Sequence, residues 1–206
     1  MIDPIIKSSI KKGISYESYR NMISHLAEIN STTGHNKSEA LINYTKLNDR
    51  RMKRWDKTIK ISEKIQKKVT ALNKKITWII ITESWCGDAA HVMPVLNKMA
   101  EFNNNISIKI VLRDENIELM DMFLTNGGRA IAKVIMVDDE TGEILNTYGP
   151  RPSIANKLVN EYKNNHGKLT PEFKEELQIW YNKDKGQTIA EDVANILFDI
   201  EFTVYQ

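Results

Sequence analysis

The sequence predicts an α/β protein with a central mixed β-sheet in the order β-α-β-α-β-β-α and helical extensions at both ends. In the middle of the chain, short β-branched runs alternate with stretches of helical periodicity, and a turn-rich segment joins the last two strands. On either side, apolar residues recur every three or four positions, which is typical of amphipathic helices. We therefore expect one domain over residues 1–206, with an N-terminal extension (1–75), a core (76–167) and a C-terminal extension (168–206).

The composition predicts a chain that folds around a core of its own. With 206 residues, 41% of them hydrophobic, the chain has enough apolar surface for a compact domain. The start, M-I-D-P-I-I-K-S-S-I-K-K, lacks the apolar run of a signal peptide, and no stretch approaches the roughly 20 apolar residues of a membrane span. A single cysteine excludes an internal disulfide framework and fits a reducing compartment. We expect a cytoplasmic protein with no membrane partner.

The N-terminal extension is predicted to be helical. A first apolar stripe begins behind Ser15, a residue type that favours helix N-caps, and a polar loop over 31–37 separates it from two further stripes. The stripes consist of Tyr16, Tyr19, Ile23, Leu26 and Ile29; of Leu41, Tyr44, Leu47, Trp55 and Ile59; and of Ile61, Ile65, Val69 and Leu72. Each stripe predicts a helix with one buried face.

The core is predicted to alternate strands and helices. Strands are expected over 76–82, 106–112, 134–137 and 144–148, and helices over 88–102, 117–124 and 153–165. The last two strands are joined by D-D-E-T-G-E, in which Gly142 supplies the left-handed conformation of a hairpin turn. Strands linked by helices lie parallel and a hairpin is antiparallel, so we expect a mixed sheet covered on both faces.

The C-terminal extension is predicted to form two further helices. Thr170 and Pro171 are typical of an N-cap followed by proline at the first helical position, and Gly167 ends the preceding core helix. Thr188 and Glu191 have the spacing of a capping box at the start of the second helix. The apolar stripe of that helix consists of Ile189, Val193, Ile196, Leu197, Ile200 and Val204.

Charge is unevenly distributed although the net charge is only +2. The segment 44–75 is strongly basic and the end of the chain is acidic, so we expect the two extensions to dock and neutralise part of this charge. Basic residues of the segment recur at helical spacing: Lys46, Arg50, Lys53, Lys57, Lys60, Lys64 and Lys67. Such a stripe is usually a solvated helix face. Because Trp55 is the only aromatic residue among them, nucleic-acid binding is the weaker interpretation.

The stretch W-C-G-D-A, from Trp85 to Ala89, lies between the first predicted strand and helix of the core. Pro94 follows Cys86 by eight residues, and R-A-I-A-K, residues 129–133, precedes the third strand. These residues resemble the thioredoxin superfamily, in which W-C-G-P-C ends the first core strand, a proline follows the first cysteine by eight residues, and R-G-I-P-T places a cis proline beside the thiol. The resemblance covers residues 76 to about 165 and points to a bacterial thioredoxin-like family with W-C-G-D in place of W-C-G-P-C. It implies a thioredoxin-like fold.

Three residues depart from the pattern of that family. Ala89 replaces the second cysteine, so Cys86 has no thiol partner within the chain. Ile80 stands where the family usually buries an acid. Ala132 replaces the cis proline. Because a cis bond before a non-proline residue costs about 3–4 kcal/mol, we expect the Ile131–Ala132 bond to be trans unless the surrounding packing holds it in cis.

The resemblance implies monothiol thiol–disulfide exchange by Cys86, with a role in cell redox homeostasis. The partner would be a protein disulfide or a low-molecular-weight thiol such as glutathione, an external thiol would complete the reaction, and no cofactor is implied. The residues expected to shape the contact with substrate are Trp85, Gly87, Asp88, Ala89, Ile131 and Ala132. The alternative is a catalytically degenerate module that binds an extended peptide of a protein partner in the same groove.

The reactivity of Cys86 depends on how much thiolate it forms. We expect the sulfur at a helix N-terminus, facing solvent, where the helix dipole contributes about 0.3–1 kcal/mol and lowers the thiol pKa by less than one unit. The charge of Asp88 acts in the opposite direction. His91 lies about 140° around the helix from Cys86, so a Cys–His pair is not expected.

Other polar residues carry weaker signals. The four histidines have no ligand spacing and the only cysteine has no partner, so no metal site is expected. Asp138, Asp139 and Glu140 are expected in a solvated hairpin turn rather than in acid–base catalysis.

Overall fold

The computed structural model describes residues 2–202, so Val204 of the predicted apolar stripe lies outside the described residues. The helices and strands in chain order are α1 (Pro4–Lys12), α2 (Tyr16–Glu28), α3 (Glu39–Thr58), α4 (Glu63–Thr70), β1 (Ile76–Thr82), α5 (Ala89–Ala100), β2 (Ile106–Leu112), α6 (Ile117–Met122), β3 (Lys133–Asp138), β4 (Ile144–Tyr148), α7 (Ser153–His166), α8 (Pro171–Asp184) and α9 (Gln187–Phe202). A 3-10 turn, Arg113–Glu115, follows β2. The predicted order of strands and helices in the core is confirmed.

The four strands form one mixed sheet in the order β2-β1-β3-β4. β1 pairs parallel with β2 and antiparallel with β3, so that Ile80 lies opposite Ile110 on one side and Val134 on the other. β3 and β4 form the predicted antiparallel hairpin, whose turn contains Gly142 at φ 74°. All seven residues of β1 are buried, which explains why this strand is a continuous apolar run rather than an alternating one.

The N-terminal extension packs against the sheet and against α5. Ile14 and Ile110 exchange two backbone hydrogen bonds of 2.9 and 2.8 Å, which covers the outer edge of β2. α2 packs on α3, and α3 packs on α5. The Ser15 side chain accepts a hydrogen bond from the Ser18 N–H and caps α2 as predicted.

The C-terminal extension also packs on α5, and on α4 of the N-terminal extension. α9 lies against both helices, and Lys64 Nζ lies 3.5 Å from Glu191 Oε1. The expected docking of the basic and acidic segments is therefore present, although an exposed ion pair of this kind contributes little to stability. Thr170 caps α8 as predicted.

Two predictions about the helices of the extensions are wrong. Thr188 is not an N-cap, because α9 already begins at Gln187. The Thr188 N–H and hydroxyl instead donate hydrogen bonds to the Asp184 carboxylate, across the tight turn between α8 and α9. Ile29 and Tyr44, predicted on buried stripes, are 54% and 44% exposed. Tyr44 is exposed because its side of α3 borders a cleft rather than the core.

Candidate functional site

The N-terminal extension holds the loop that carries the W-C-G-D-A motif. Ser84, between β1 and the motif, lies in a buried cluster of hydroxyl groups, with its Oγ 3.0 Å from Thr32 Oγ1 and 2.8 Å from Thr45 Oγ1. Its backbone N–H donates to Thr33 Oγ1, and Asn48 Nδ2 donates to its carbonyl oxygen. Because buried polar groups are costly unless satisfied, these contacts hold the loop in one conformation.

The Cys86 side chain lies beneath the surface of the motif. The residue is 6% exposed and its Sγ donates a hydrogen bond to the Ile131 carbonyl oxygen at 3.3 Å. Burial raises the pKa of the Cys86 thiol to about 12, and the nearby charge of Asp88 adds to the effect, while the Ala89 backbone N–H and Arg151 oppose it. The expectation of a solvent-facing sulfur is wrong, because the Ile131 segment packs over it.

The Ile131–Ala132 peptide bond is cis rather than trans, and cis is the isomer that we expected only where surrounding packing holds the bond. Ala132 is fully buried, and its carbonyl oxygen lies where a Cβ on Gly149 would be. Close packing therefore surrounds this bond, which is the condition under which we expected it to be cis. The arrangement brings Ile131 directly beside Cys86.

Asp88 connects the motif to two later parts of the chain. Its Oδ2 lies 2.8 Å from Arg151 Nη2, in the segment before α7, and its Oδ1 accepts a hydrogen bond of 3.0 Å from the Tyr181 hydroxyl on α8. Burial raises the pKa of Asp88 although both contacts oppose the shift, and the pKa of Tyr181 lies well above its usual range because that hydroxyl is buried.

His91 on α5 links the two extensions. Its Nδ1 accepts a hydrogen bond of 2.9 Å from Trp55 Nε1 on α3, so its proton lies on Nε2, which donates to Gln178 Oε1 on α8 at 2.7 Å. The imidazole ring stacks on Tyr181 with ring centroids 4.2 Å apart. Burial lowers the pKa of His91 to about 3, so the ring is neutral. The sequence predicted only that His91 does not pair with Cys86.

An open cleft of about 770 Å³ lies above the motif. Of the residues predicted to shape the site, Trp85, Cys86, Gly87, Asp88 and Ile131 line this cleft, whereas Ala89 and Ala132 are buried behind it. Five of the predicted residues therefore lie on one surface, and the other two are packed in the interior behind it.

Further walls of the cleft come from residues that the sequence analysis did not select. α3 contributes Leu41, Tyr44, Leu47 and Arg51, while Leu169, Lys174 and Leu177 come from the C-terminal extension. The Arg113 guanidinium lies 4.9 Å from the centroid of the Trp85 ring, a cation–π distance. No local motif marks these residues, because they meet only when both extensions pack on α5.

Comparison with known proteins decides the family. A family model described as thioredoxin matches residues 34–163. The chain belongs to the thioredoxin family. The match begins before α3, so it includes part of the N-terminal extension as well as the core.

Two solved structures share this fold at low sequence identity. A Pseudomonas aeruginosa protein of unknown function is 13% identical, with a TM-score of 0.63, covering 91% of this chain and 93% of that one. An HIV epitope scaffold is 12% identical, with a TM-score of 0.62, covering 93% and 96%. No curated protein matches the sequence. The two structures support the thioredoxin-like fold of the chain, and this support extends over both extensions.

This thioredoxin-family chain contains a buried acid near the motif, although not at the family position occupied by Ile80. Glu83 is fully buried, and its Oε1 accepts a hydrogen bond of 2.9 Å from the Asp114 N–H. Burial raises the pKa of Glu83. No signal in the sequence marks Glu83, because its position just after β1 does not reveal that the Asp114 turn covers it.

Two classes of feature are not found in the part of the chain that the structure describes. Residues 2–202 contain no group of three or more His, Cys, Asp or Glu side chains that could hold a metal ion. None of the helices within 2–202 is long and apolar enough to cross a membrane.

Proposed function

We propose that this thioredoxin-family protein binds an extended peptide segment of a protein partner in the cleft above Cys86. The observation that carries the proposal is an open cleft with apolar walls above a thiol that is buried and hydrogen-bonded rather than ionised. Tyr44 and Leu47 supply apolar surface on α3, and Tyr44 is 44% exposed although its ring is large. Exposed apolar surface in a concave site is typical of binding sites. A reducing compartment such as the cytoplasm suits the free thiol.

Ile131 supplies main-chain groups for such a peptide. The residue lines the cleft, and its carbonyl oxygen is engaged by Cys86. Its backbone N–H has no acceptor among residues 2–202. A peptide laid in extended form beside Ile131 satisfies this N–H with one of its own carbonyl oxygens, as strands do when they add to a free main-chain edge.

Selection from a displayed library of random peptides tests the proposal. Peptides that bind the intact chain should bind the Cys86→Ser variant equally well, since binding requires no thiol. Tyr44→Ala should weaken binding about fivefold to thirtyfold, the usual effect of truncating an aromatic interface residue. Phe198→Ala is the matched control, because Phe198 is also 44% exposed but lies on α9 outside the cleft. Failure to select any peptide, or equal effects of both variants, would contradict the proposal.

A second candidate is monothiol exchange by Cys86, favoured by the Ala89 and Asp88 backbone N–H groups, which offset part of the rise in the thiol pKa that burial causes. The Cys86 thiolate would attack one sulfur of a protein disulfide or of glutathione disulfide, forming a new S–S bond as the old one breaks. The released thiolate takes up the proton that Cys86 lost. An external thiol then attacks the mixed disulfide and restores Cys86.

The pH dependence of alkylation separates the two candidates. Because burial raises the pKa of Cys86 to about 12, thiolate is rare at neutral pH, and the rate with iodoacetamide should rise about tenfold per pH unit up to pH 10. This result supports the binding role. A rate plateau near pH 8.5, together with a glutathione adduct that is absent in Cys86→Ser, would instead support exchange.

A further inference from the structure

The cleft above Cys86 is rich in basic side chains. Within the described residues, the basic side chains that line it are Arg51, Arg113, Arg129, Arg151 and Lys174. The acidic side chains that line it in the same part of the chain are Asp88 and Glu175. Basic side chains therefore outnumber acidic ones along this surface by five to two, although the net charge of the whole protein is only +2.

Three of these cations already have acidic partners. Their ion pairs are Arg113 with Asp114 at 2.8 Å, Arg129 with Asp121 at 2.6 Å and Arg151 with Asp88 at 2.8 Å. Even so, Arg151 keeps a free donor, since its Nε is buried without a hydrogen-bond partner among residues 2–202. A buried donor of this kind is costly unless a ligand satisfies it.

Arg51 differs from these three, since it forms no ion pair with any described residue. Its only hydrogen bond within 2–202 runs from Nη1 to Asn48 Oδ1 at 3.2 Å. The side chain is partly buried and reaches over the motif, because a Cβ placed on Gly87 would lie 3.8 Å from Arg51 Nη1. Asp88 acts on Arg51 through its charge but without an ion pair. A partly desolvated guanidinium that contacts no carboxylate is stabilised further when an anion binds to it.

We infer that the cleft selects acidic peptides, and that a side-chain carboxylate of the bound segment accepts hydrogen bonds from Arg51. This inference rests on the proposed function and specifies the chemistry of the partner. Two parallel N–H···O bonds between a guanidinium and a carboxylate combine charge with geometry, which suits Arg51 to this role. Lys174 on α8 attracts a second acid of the same segment.

The placement of the cations favours side-chain carboxylates over a single C-terminal carboxylate. Arg51 lies on α3, Arg151 lies between β4 and α7, and Lys174 lies on α8. Because these groups come from three different elements, acidic residues spaced along an extended segment offer a separate carboxylate to each of them, whereas a chain end offers only one. The bound segment is therefore an internal acidic stretch of the partner.

The composition of the selected peptides tests the inference. A random library flanked by constant residues at both ends should yield peptides enriched in Asp and Glu when it is selected on the intact chain. Selection on Arg51→Gln should lose most of this enrichment, and selection on Arg50→Gln should keep it. Arg50 is the matched control because it removes the same charge from the adjacent, exposed position outside the cleft.

Synthetic peptides then measure the effect directly. An amide analogue of a selected peptide, with Asn and Gln in place of Asp and Glu, should bind the intact chain about tenfold to a hundredfold more weakly, the range for a hydrogen bond to a charged group. Arg51→Gln should lose most of the preference for the acidic peptide and keep only the smaller part that Lys174 contributes, and Arg51→Lys should restore part of what is lost. Free-acid and C-terminally amidated forms of the acidic peptide should bind equally, since the terminus is not the ligand.

Each alternative outcome shows whether the acidic preference, the side-chain carboxylates or the peptide-binding role itself is wrong. Selected peptides without acidic enrichment, or an amide analogue that binds as tightly as its acidic parent, overturn the inference while the peptide-binding role stands. The same holds if Arg51→Gln, shown to be folded by its circular dichroism, prefers the acidic peptide as strongly as the intact chain does. A preference that disappears only on C-terminal amidation overturns the assignment to side-chain carboxylates. Absence of any selected peptide overturns the proposed function itself.

Discussion

Replacement of His91 by Gln should change how the stability of the protein depends on pH. His91 is 1% exposed and accepts a hydrogen bond from Trp55, and burial lowers its pKa from 6.5 to about 3. In the unfolded chain the imidazole takes up a proton near its ordinary pKa, while in the folded protein it stays neutral. Acid therefore favours the unfolded chain. The contribution of His91 to stability is fully present above pH 6.5 and is lost as the pH falls towards 3.

The size of the effect follows from the two pKa values. When the pH falls from 7.5 to 5, protonation of His91 should lower the unfolding free energy of the wild-type protein by about 2 kcal/mol. The reason is that at pH 5 His91 is protonated in most unfolded chains but in almost no folded ones. Any folded pKa at or below about 4 predicts nearly the same loss. His91→Gln should lack this loss, although at pH 7.5 it should be less stable by about 1–2 kcal/mol, since the stack on Tyr181 is gone.

Urea unfolding at the two pH values, followed by circular dichroism, measures the prediction. The comparison between wild type and His91→Gln cancels the titration of the carboxylates that both proteins share. His35→Gln is the control, because His35 is exposed, and it should follow the wild-type curve. Equal pH dependence in wild type and His91→Gln would refute the reasoning, since it would mean that His91 titrates alike in the folded and unfolded chains.

Two further predictions concern the surroundings of Cys86. Gly149→Ala should destabilise the fold by about 1–3 kcal/mol more than Gly127→Ala. Both glycines have positive φ, but only a Cβ on Gly149 meets a backbone oxygen, that of Ala132. Equal urea midpoints for the two variants would contradict this prediction. Asp88→Asn should speed alkylation of Cys86 at fixed pH, because the charge of Asp88 raises the thiol pKa. Asp121→Asn is the control, since it alters an exposed ion pair with Arg129 and should leave the rate unchanged. An unchanged rate in Asp88→Asn would show that burial alone raises the pKa of Cys86.

The strands and caps of the core were predictable because each depends on residues close in sequence. β1 is a continuous apolar run, Gly142 occupies a turn position that needs positive φ, and Ser15 and Thr170 cap the helices that follow them. The capping box at Thr188 failed for a tertiary reason. The turn between α8 and α9 brings the Asp184 carboxylate to the Thr188 N–H, so that α9 begins one residue earlier than Thr188.

The site was predictable only in part. The W-C-G-D-A motif indicated a thioredoxin-like fold and directed attention to Cys86, and the fold is confirmed. The depth of the sulfur was not predictable, because it depends on the Ile131 segment, 45 positions away in sequence. Nor did any local pattern show that Arg51 would lie above Gly87.

By itself, the sequence determined the order of the strands, the position of the strand-to-helix junction that carries the only thiol, and the absence of a second cysteine to resolve a mixed disulfide. These properties follow from local periodicity and from residue identity. Only the tertiary structure decided that the thiol is buried and that His91 is neutral between two helices. It also decided that the cleft is lined by cations drawn from both sides of the core. The physical reason is that desolvation and charge–charge distance depend on which surfaces meet, and here the extensions that cover α5 come from opposite ends of the chain.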